Sequence, residues 1–210
     1  MNIFRKLAQK PWLQPNQFDD VSGETALDRP SARVGLWLFL AVVTSLFGLF
    51  LSAYSMRSEY PDWRSFAKPG LLWVNTAILI LSSVGLQSAR MASDQGRMDR
   101  VRLGLSAGAL FALAFLAGQM LAWQQLIASG VYAATNPSSA FFYLLTAVHG
   151  LHLAGGFWVL TTVIIRAWGD LQDRDPREVS ALRLSIELCT VYWHFLLLVW
   201  LVLFALLLST

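Results

Sequence analysis

Apolar residues in this chain occur in five long blocks that are separated by shorter polar segments. Each block is about 20 residues or longer, which is the length that an α-helix needs to cross the hydrocarbon core of a bilayer. A membrane β-barrel would instead show alternating segments of about ten residues. The pattern predicts an all-α integral membrane bundle of five transmembrane helices. The predicted spans are residues 33–56, 70–89, 103–128, 140–165 and 184–208.

The composition excludes an ordinary soluble domain. Hydrophobic residues make up 56% of the 210 residues and charged residues only 14%, whereas soluble domains carry about 25% charged residues. Mean hydropathy is +0.51. The net charge of +3 does not indicate nucleic-acid binding, because the basic residues flank the apolar blocks. The single cysteine, Cys189, excludes a disulfide or a multi-thiolate metal site within the chain.

Lys and Arg are divided unevenly between the two sides of the predicted bundle. Residues 1–32 are expected to form an N-terminal arm, since they lack the apolar stretch of a signal peptide. The arm with the first helix mouth, the second loop and the fourth loop hold 13 of the basic residues, and the first loop holds 3. Because cytoplasmic segments are enriched in Lys and Arg, this distribution predicts a cytoplasmic N-terminus and a periplasmic C-terminus.

Two local patterns predict details of the helices. Gly104, Gly108 and Ala112 recur at intervals of four in the third span, which gives one small face. Small residues let helices approach closely in lipid, so this face is expected to serve ordinary packing inside the bundle. Asn136 followed by Pro137 is a helix-start signal, with Asn136 as the cap and Pro137 in the first turn.

Ionisable side chains are scarce inside the predicted spans. The three histidines, His149, His152 and His194, all lie there, and Glu187 is the one acid. Such groups are costly in hydrocarbon and usually face protein or water, so these four are the candidate functional residues. His149 and His152 are three residues apart, and Glu187 and His194 are two helical turns apart, so each pair is expected to share a helix face.

The residue types alone leave several uses open for these groups. They could hydrogen-bond between helices and fix their packing, handle protons or lipid, or bind a metal or haem. Histidines three residues apart on one helix do not suggest a haem pair, and one membrane glutamate does not suggest a carboxylate metal site. Glu187 is expected to anchor the fourth and fifth helices through His149 and His152, or through a lipid headgroup.

Short motifs occur in a fixed order along all five spans, over about residues 31–208. They are Arg33 with Gly35, Trp73-Val74-Asn75-Thr76 with Ser82 and Ser83, Gln119 with Trp123, His149-Gly150-Leu151-His152, and Glu187 with Tyr192-Trp193-His194-Phe195 and Trp200. This series resembles the motifs of the haem–copper oxidase subunit III family, and the five spans resemble its short bacterial form.

The chain departs from the family's pattern at three positions. Val43, Ala122 and Leu197 stand where members of the family have a membrane carboxylate. An aliphatic side chain binds no proton, so a role that depends on those carboxylates is not expected here. Glu187 is the membrane acid that the chain retains.

The resemblance implies a non-redox subunit of a respiratory terminal oxidase in the inner membrane of a bacterium. Such a complex reduces O₂ to water and translocates protons, with haem and copper in its catalytic subunit. This chain is then expected to carry no metal or catalytic residue, to bind phospholipid and not nucleic acid, and to support proton uptake. Its main partner would be subunit I, with subunit II in the same complex. The implied lipid- or subunit-contact residues are His149, His152, Glu187, His194, Gln119, Trp200 and Arg33.

Two other functions remain alternatives on sequence grounds. One keeps the superfamily and makes the chain an accessory subunit of a nitric oxide reductase. The other is a small independent membrane protein that binds haem or a quinone through His149, His152 and His194. Whether cytochrome c or quinol donates electrons is not encoded in this chain.

Overall fold

The computed structural model describes residues 28–169 and 175–209, and these residues form five α-helices. The helices are α1 Asp28–Ser58, α2 Leu71–Asp94, α3 Met98–Ala128, α4 Pro137–Trp168 and α5 Pro176–Ser209. All five are long and apolar enough to cross a membrane, which confirms the predicted number of spans. Residues 1–27 of the predicted arm and Arg174 of the fourth loop lie outside the described residues.

The helices extend beyond the apolar blocks from which they were predicted. α5, for example, begins at Pro176, eight residues before its predicted span. Hydropathy marks only the part of a helix that lies in hydrocarbon, whereas the backbone hydrogen bonds continue into the polar layers on either side. Residues 28–35 form the first turns of α1, and the packing described below concerns residues 36–169 and 175–209.

Four of the helices form a closed ring. α2 packs against α3 and α5, and α4 packs against the same two helices. α1 contacts the ring through side chains, chiefly through the buried residues Leu40, Val43, Phe47 and Tyr54 of one narrow face. The ring of Phe47 lies 5.6 Å from that of His152, and Tyr54 meets Phe141 edge to face at 5.6 Å.

The contact between α2 and α3 is made by backbone against backbone. A Cβ atom placed on Gly104 would lie 2.8 Å from the carbonyl oxygen of Gly85 and 2.9 Å from the Cβ of Ala89. A Cβ on Gly108 would lie 2.9 Å from the side chain of Leu86. Only glycine permits this approach, which confirms that the small face of the third span serves packing inside the bundle.

Tryptophan indoles connect neighbouring helices through hydroxyl groups. Each of three indole nitrogens donates to a serine or threonine on another helix. The pairs are Trp193–Ser82 at 2.9 Å, Trp200–Thr76 at 3.0 Å and Trp123–Thr146 at 3.1 Å. A buried indole N–H needs a hydrogen-bond partner, so these bonds set the rotation of α5 against α2 and of α3 against α4.

The start of α4 and the end of α3 follow local sequence signals. The side chain of Asn136 accepts from the backbone nitrogen of Ser139 at 3.0 Å, and the Ser139 hydroxyl accepts from the backbone of Asn136 at 3.3 Å. With Pro137 in the first turn, this capping box confirms the predicted start. α3 ends at Ala128, and Gly130 just beyond it has a φ of +78°, a left-handed conformation that glycine adopts without strain.

Candidate functional site

Motif residues of α2, α4 and α5 meet residues of α3 in one layer of the ring's core. The His149 ring is fully buried, with its centroid 5.2 Å from the ring of Trp200 and 5.9 Å from that of Phe115. Trp200 donates to Thr76, and the neighbouring Asn75 lies directly on the backbone of α3 at Gly118. The layer therefore combines α2, α3, α4 and α5.

Several buried side-chain atoms of motif residues in and beside this polar layer have no hydrogen-bond partner within the described part of the chain. They are the amide nitrogen and oxygen of Asn75, the amide nitrogen and oxygen of Gln119, and both ring nitrogens of His149. Buried polar groups cost free energy unless they are paired. These amide and imidazole groups therefore lie in the core at a cost in free energy that no hydrogen bond among the described residues offsets.

A cavity of about 670 Å³ lies beside this core, between α1, α4 and α5. Its walls are mostly apolar, with a cation at one end and a histidine near the other. The lining residues are Leu36, Phe39, Leu151, His152, Gly155, Gly156, Val159, Thr162, Val163, Arg166, Ser185, Leu188, Cys189 and Tyr192. His152 and Arg166 are 14 residues apart on α4, so the cavity follows the helix for about 21 Å.

His152 and Tyr192 line the cavity at the end away from Arg166. The Tyr192 hydroxyl donates to the carbonyl oxygen of His152 at 2.9 Å, and the Nδ1 atom of His152 lies 2.8 Å from the carbonyl oxygen of Val148. Gly156 leaves room for the Tyr192 ring, because a Cβ there would lie 2.5 Å from the ring. α5 therefore packs closely on α4 at this level.

Glu187 pairs with α2. Its Oε1 atom lies 3.7 Å from Nη2 of Arg90, and about a third of each side chain is exposed. The expected hydrogen bond between Glu187 and His149 is not formed, since neither ring nitrogen of His149 has a partner among the described residues. The reason is distance, because His149 lies at the level of Trp200, 13 residues or about 20 Å further along α5.

The two histidines of α4 have different surroundings although they are three residues apart. His149 faces the core of the ring, whereas His152 is half-buried, contacts Phe47 of α1 and lines the cavity. His194 is exposed on α5, with its Nδ1 atom 2.7 Å from the carbonyl oxygen of Thr190. Arg33 lies on α1 with an exposed side chain.

The three positions that depart from the resembled motifs lie in different surroundings. Val43 and Ala122 are buried, and Leu197 is half-buried. Within residues 28–169 and 175–209, no three His, Cys, Asp or Glu side chains are grouped so that they could hold a metal ion.

Three arginines that entered the sequence-based prediction only through the charge distribution make specific contacts in the structure. Arg90 pairs with Glu187, and Arg166 lines the cavity. The Nε atom of Arg102 donates to the carbonyl oxygen of Ala167 at 2.9 Å, and its guanidinium lies over the ring of Trp168. Each of these arginines adjoins the end of a predicted span, which is the sequence signal for such positions. Arg102 also meets the carbonyl end of α4, where a cation is favourable.

Comparison with known families gives a match that covers nearly the whole described chain. The family described as cytochrome c oxidase subunit III matches residues 31–209. The motifs of the polar layer and of the cavity wall all fall within this range.

Individual relatives show the same similarity. Cytochrome c oxidase subunit 3 of Synechocystis sp. is 32% identical over 178 residues, which cover 82% of this chain and 72% of the relative. The protein of the same name from Thermostichus vulcanus is 28% identical over 193 residues, 89% of this chain and 92% of the relative. Cytochrome bo(3) ubiquinol oxidase subunit 3 of Pseudomonas aeruginosa is 25% identical over 175 residues, 81% of this chain and 80% of the relative.

Proposed function

Because this chain belongs to the cytochrome c oxidase subunit III family and is thereby a subunit of a terminal oxidase, we propose that it supports the catalytic subunit without redox chemistry of its own. Haem and copper then lie in subunit I, its main partner, and subunit II completes the same complex. The relatives include subunits of both cytochrome c and ubiquinol oxidases, so the electron donor is a property of the other subunits.

The cavity between α1, α4 and α5 supports a second part of this proposal, that the chain holds a phospholipid. Its length of about 21 Å along α4 equals that of one leaflet, which is half of a bilayer of about 40–45 Å with its headgroups. Arg166 lies at the end where a phosphate would be, and Val159, Val163 and Leu188 line the path of the acyl chains. Gly155, at which an added Cβ would meet nothing within 4 Å, leaves that path open.

The support for proton uptake is, on this proposal, structural. The carboxylates that the family places in the first and third spans are replaced by Val43 and Ala122, which are buried. Glu187 forms an ion pair with Arg90 at the end of the bundle where α2 ends and α5 begins. The subunit would therefore act by holding lipid and by keeping the catalytic subunit intact during turnover.

Lipid retention tests the cavity's role. Arg166→Gln removes the cation at the headgroup end, and Arg183→Gln removes an exposed cation from the same end of α5, outside the cavity. A charge-assisted hydrogen bond to a phosphate raises binding affinity roughly tenfold. Native mass spectrometry of the purified complex should show about tenfold less bound phospholipid for Arg166→Gln and wild-type lipid for Arg183→Gln. Equal lipid in the two variants would remove the support for this site.

Orientation is part of the same proposal, with the N-terminus in the cytoplasm of a bacterial inner membrane. Tyr60 and Gln95 are exposed in successive loops, and the native Cys189 is buried. A membrane-impermeant maleimide should label Tyr60→Cys from outside the cell and Gln95→Cys only after permeabilisation. Labelling of Gln95→Cys in intact cells would contradict this orientation and place the N-terminus outside.

A further inference from the structure

His194 is an exposed polar side chain at mid-membrane depth. It lies ten residues, or about 15 Å, inside the apolar block 184–208 and is exposed on the outer face of α5. The neighbours on this face are apolar, with Leu198 60% and Leu201 42% exposed. A titratable ring that points out of a bundle at this depth is unusual, because such residues nearly always face protein or water.

The hydrogen bond of the ring determines which atom is offered to the outside. The Nδ1 atom of His194 lies 2.7 Å from the carbonyl oxygen of Thr190, one turn earlier on the same helix. A carbonyl oxygen only accepts, so the neutral imidazole carries its hydrogen on Nδ1 and leaves Nε2 as an acceptor. Within the described part of the chain this is the hydrogen bond that the ring makes.

An acceptor at this depth needs a donor, and lipid does not supply one. Acyl chains have no N–H or O–H group, and the headgroups are about 15 Å away along the helix axis. An unpaired acceptor in hydrocarbon costs free energy. A protein partner with a hydroxyl, amide or indole donor removes that cost.

We propose that the outer face of α5, formed by Val191, His194, Leu198 and Leu201, docks a transmembrane helix of a partner oxidase subunit that donates a hydrogen bond to Nε2 of His194. The proposal rests on the proposed function, which requires such a partner. A second copy of this chain is a poorer occupant. In a two-fold contact centred on this face, each His194 would meet another acceptor, and two acceptors cannot pair.

Three substitutions of His194 separate the roles of the two ring nitrogens. His194→Gln places an amide oxygen near the position of Nε2, His194→Asn places its amide near Nδ1, and His194→Leu removes both. The bond to Thr190 lies within one helix, so none of the three removes a hydrogen bond between the described helices of this chain. Circular dichroism of each variant should match the wild type.

The measurement is the amount of this chain retained per catalytic subunit, by mass spectrometry, after membranes are extracted with increasing detergent. A hydrogen bond between two helices in a membrane raises their affinity for each other roughly threefold to tenfold. His194→Leu and His194→Asn should therefore reduce retention about threefold to tenfold, and His194→Gln should stay near the wild type. Leu198→Ala should also weaken retention, whereas Leu110→Ala, on the exposed side of α3, should not.

The outcomes that overturn the proposal differ from those that overturn the proposed function. Wild-type retention of His194→Leu would show that this face contacts lipid, and a loss with His194→Gln equal to that with His194→Leu would refute the acceptor role. A photo-crosslinker at Leu198 that captures a second copy of this chain, or lipid alone, would refute the partner. If the wild-type chain brings down no haem–copper subunit, the proposed function itself fails.

Discussion

The indole nitrogen of Trp193 donates to the hydroxyl oxygen of Ser82 at 2.9 Å, across the contact between α5 and α2. Ser82 in turn donates to the carbonyl oxygen of Gly108 on α3 at 2.7 Å. One buried hydroxyl thus joins three helices. Trp193 and Ser82 are fully buried, so loss of this bond would leave the indole N–H without a partner in the core.

Ser82→Ala is therefore expected to destabilise the bundle. The unpaired indole and the lost bond to Gly108 together should lower the free energy of unfolding in detergent by about 1–3 kcal/mol. The matched control is Ser88→Ala, since the exposed Ser88 donates to the carbonyl oxygen of Val84 in its own helix. That variant should change stability by less than about 0.5 kcal/mol. Equal effects of the two substitutions would mean that the Trp193–Ser82 bond contributes nothing.

Two glycine-to-alanine substitutions should have different effects on the stability of the bundle. Gly104→Ala places a Cβ against the backbone oxygen of Gly85, which cannot move without displacing α2. We expect a loss of about 1–3 kcal/mol, as for other overpacked sites. Gly150→Ala meets nothing within 4 Å and should leave stability unchanged or raise it slightly, because alanine favours helix. Thermal unfolding in detergent compares the two, and a harmless Gly104→Ala would contradict the backbone contact.

The ion pair between Glu187 and Arg90 should contribute little to stability. Both side chains are about one-third exposed and 3.7 Å apart, so the contribution is expected to be about 0.2–1 kcal/mol. Glu187→Gln should assemble and turn over nearly as the wild type does. Exchange of the two charges, Arg90→Glu with Glu187→Arg, should recover what Arg90→Glu alone loses. A Glu187→Gln complex with normal assembly and slowed proton uptake would instead give this carboxylate a role in proton handling.

Much of the fold could be predicted because its signals are local. Apolar block length gives the spans, the Asn136-Pro137 pair gives the start of α4, and the spacing of Gly104 and Gly108 gives a packing face. Each of these depends on residues close together in sequence. The ring order of the helices depends on which faces meet, and the sequence pattern does not fix that.

The site was less predictable for the same reason. Glu187 could be identified as a candidate, but its pairing with Arg90 depends on how α2 and α5 are rotated against each other. His149 and His152 share a motif, yet a difference of three residues turns one toward the core and the other toward the cavity. Arg166 lies in the same cavity wall as Ser185 of α5, which depends on how α4 and α5 pack and not on either helix alone.

The loop between α1 and α2 should lose stability at acid pH. The Arg57 guanidinium donates to the Asp62 carboxylate, with Nη1 and Oδ1 2.7 Å apart, and this hydrogen bond holds the pKa of Asp62 below its ordinary value. A lowered pKa in the folded state means that the pair stabilises the loop fully above the ordinary pKa of about 3.9. That contribution is lost as the pH falls through the lowered pKa.

Hydrogen exchange of residues 57–63, normalised to the unfolded peptide, measures this loop directly. Protection should be constant from about pH 7 to 5 and should fall only below about pH 4. Asp62→Asn should reduce protection at neutral pH, and added salt should reproduce part of that loss, because the pair is exposed. Glu59→Gln, in the same exposed loop, is the control. Unchanged protection in Asp62→Asn would contradict the assignment.

On the proposed function, this chain is a terminal-oxidase subunit that depends on a partner for haem and copper. The most direct test purifies the tagged chain from its native membrane in mild detergent and measures protein, haem and copper in the complex and in the separated chain. We expect one catalytic subunit per chain, with haem and copper present in the complex and neither in the separated chain. A separated chain with stoichiometric haem, or a complex without a haem–copper subunit, would contradict it.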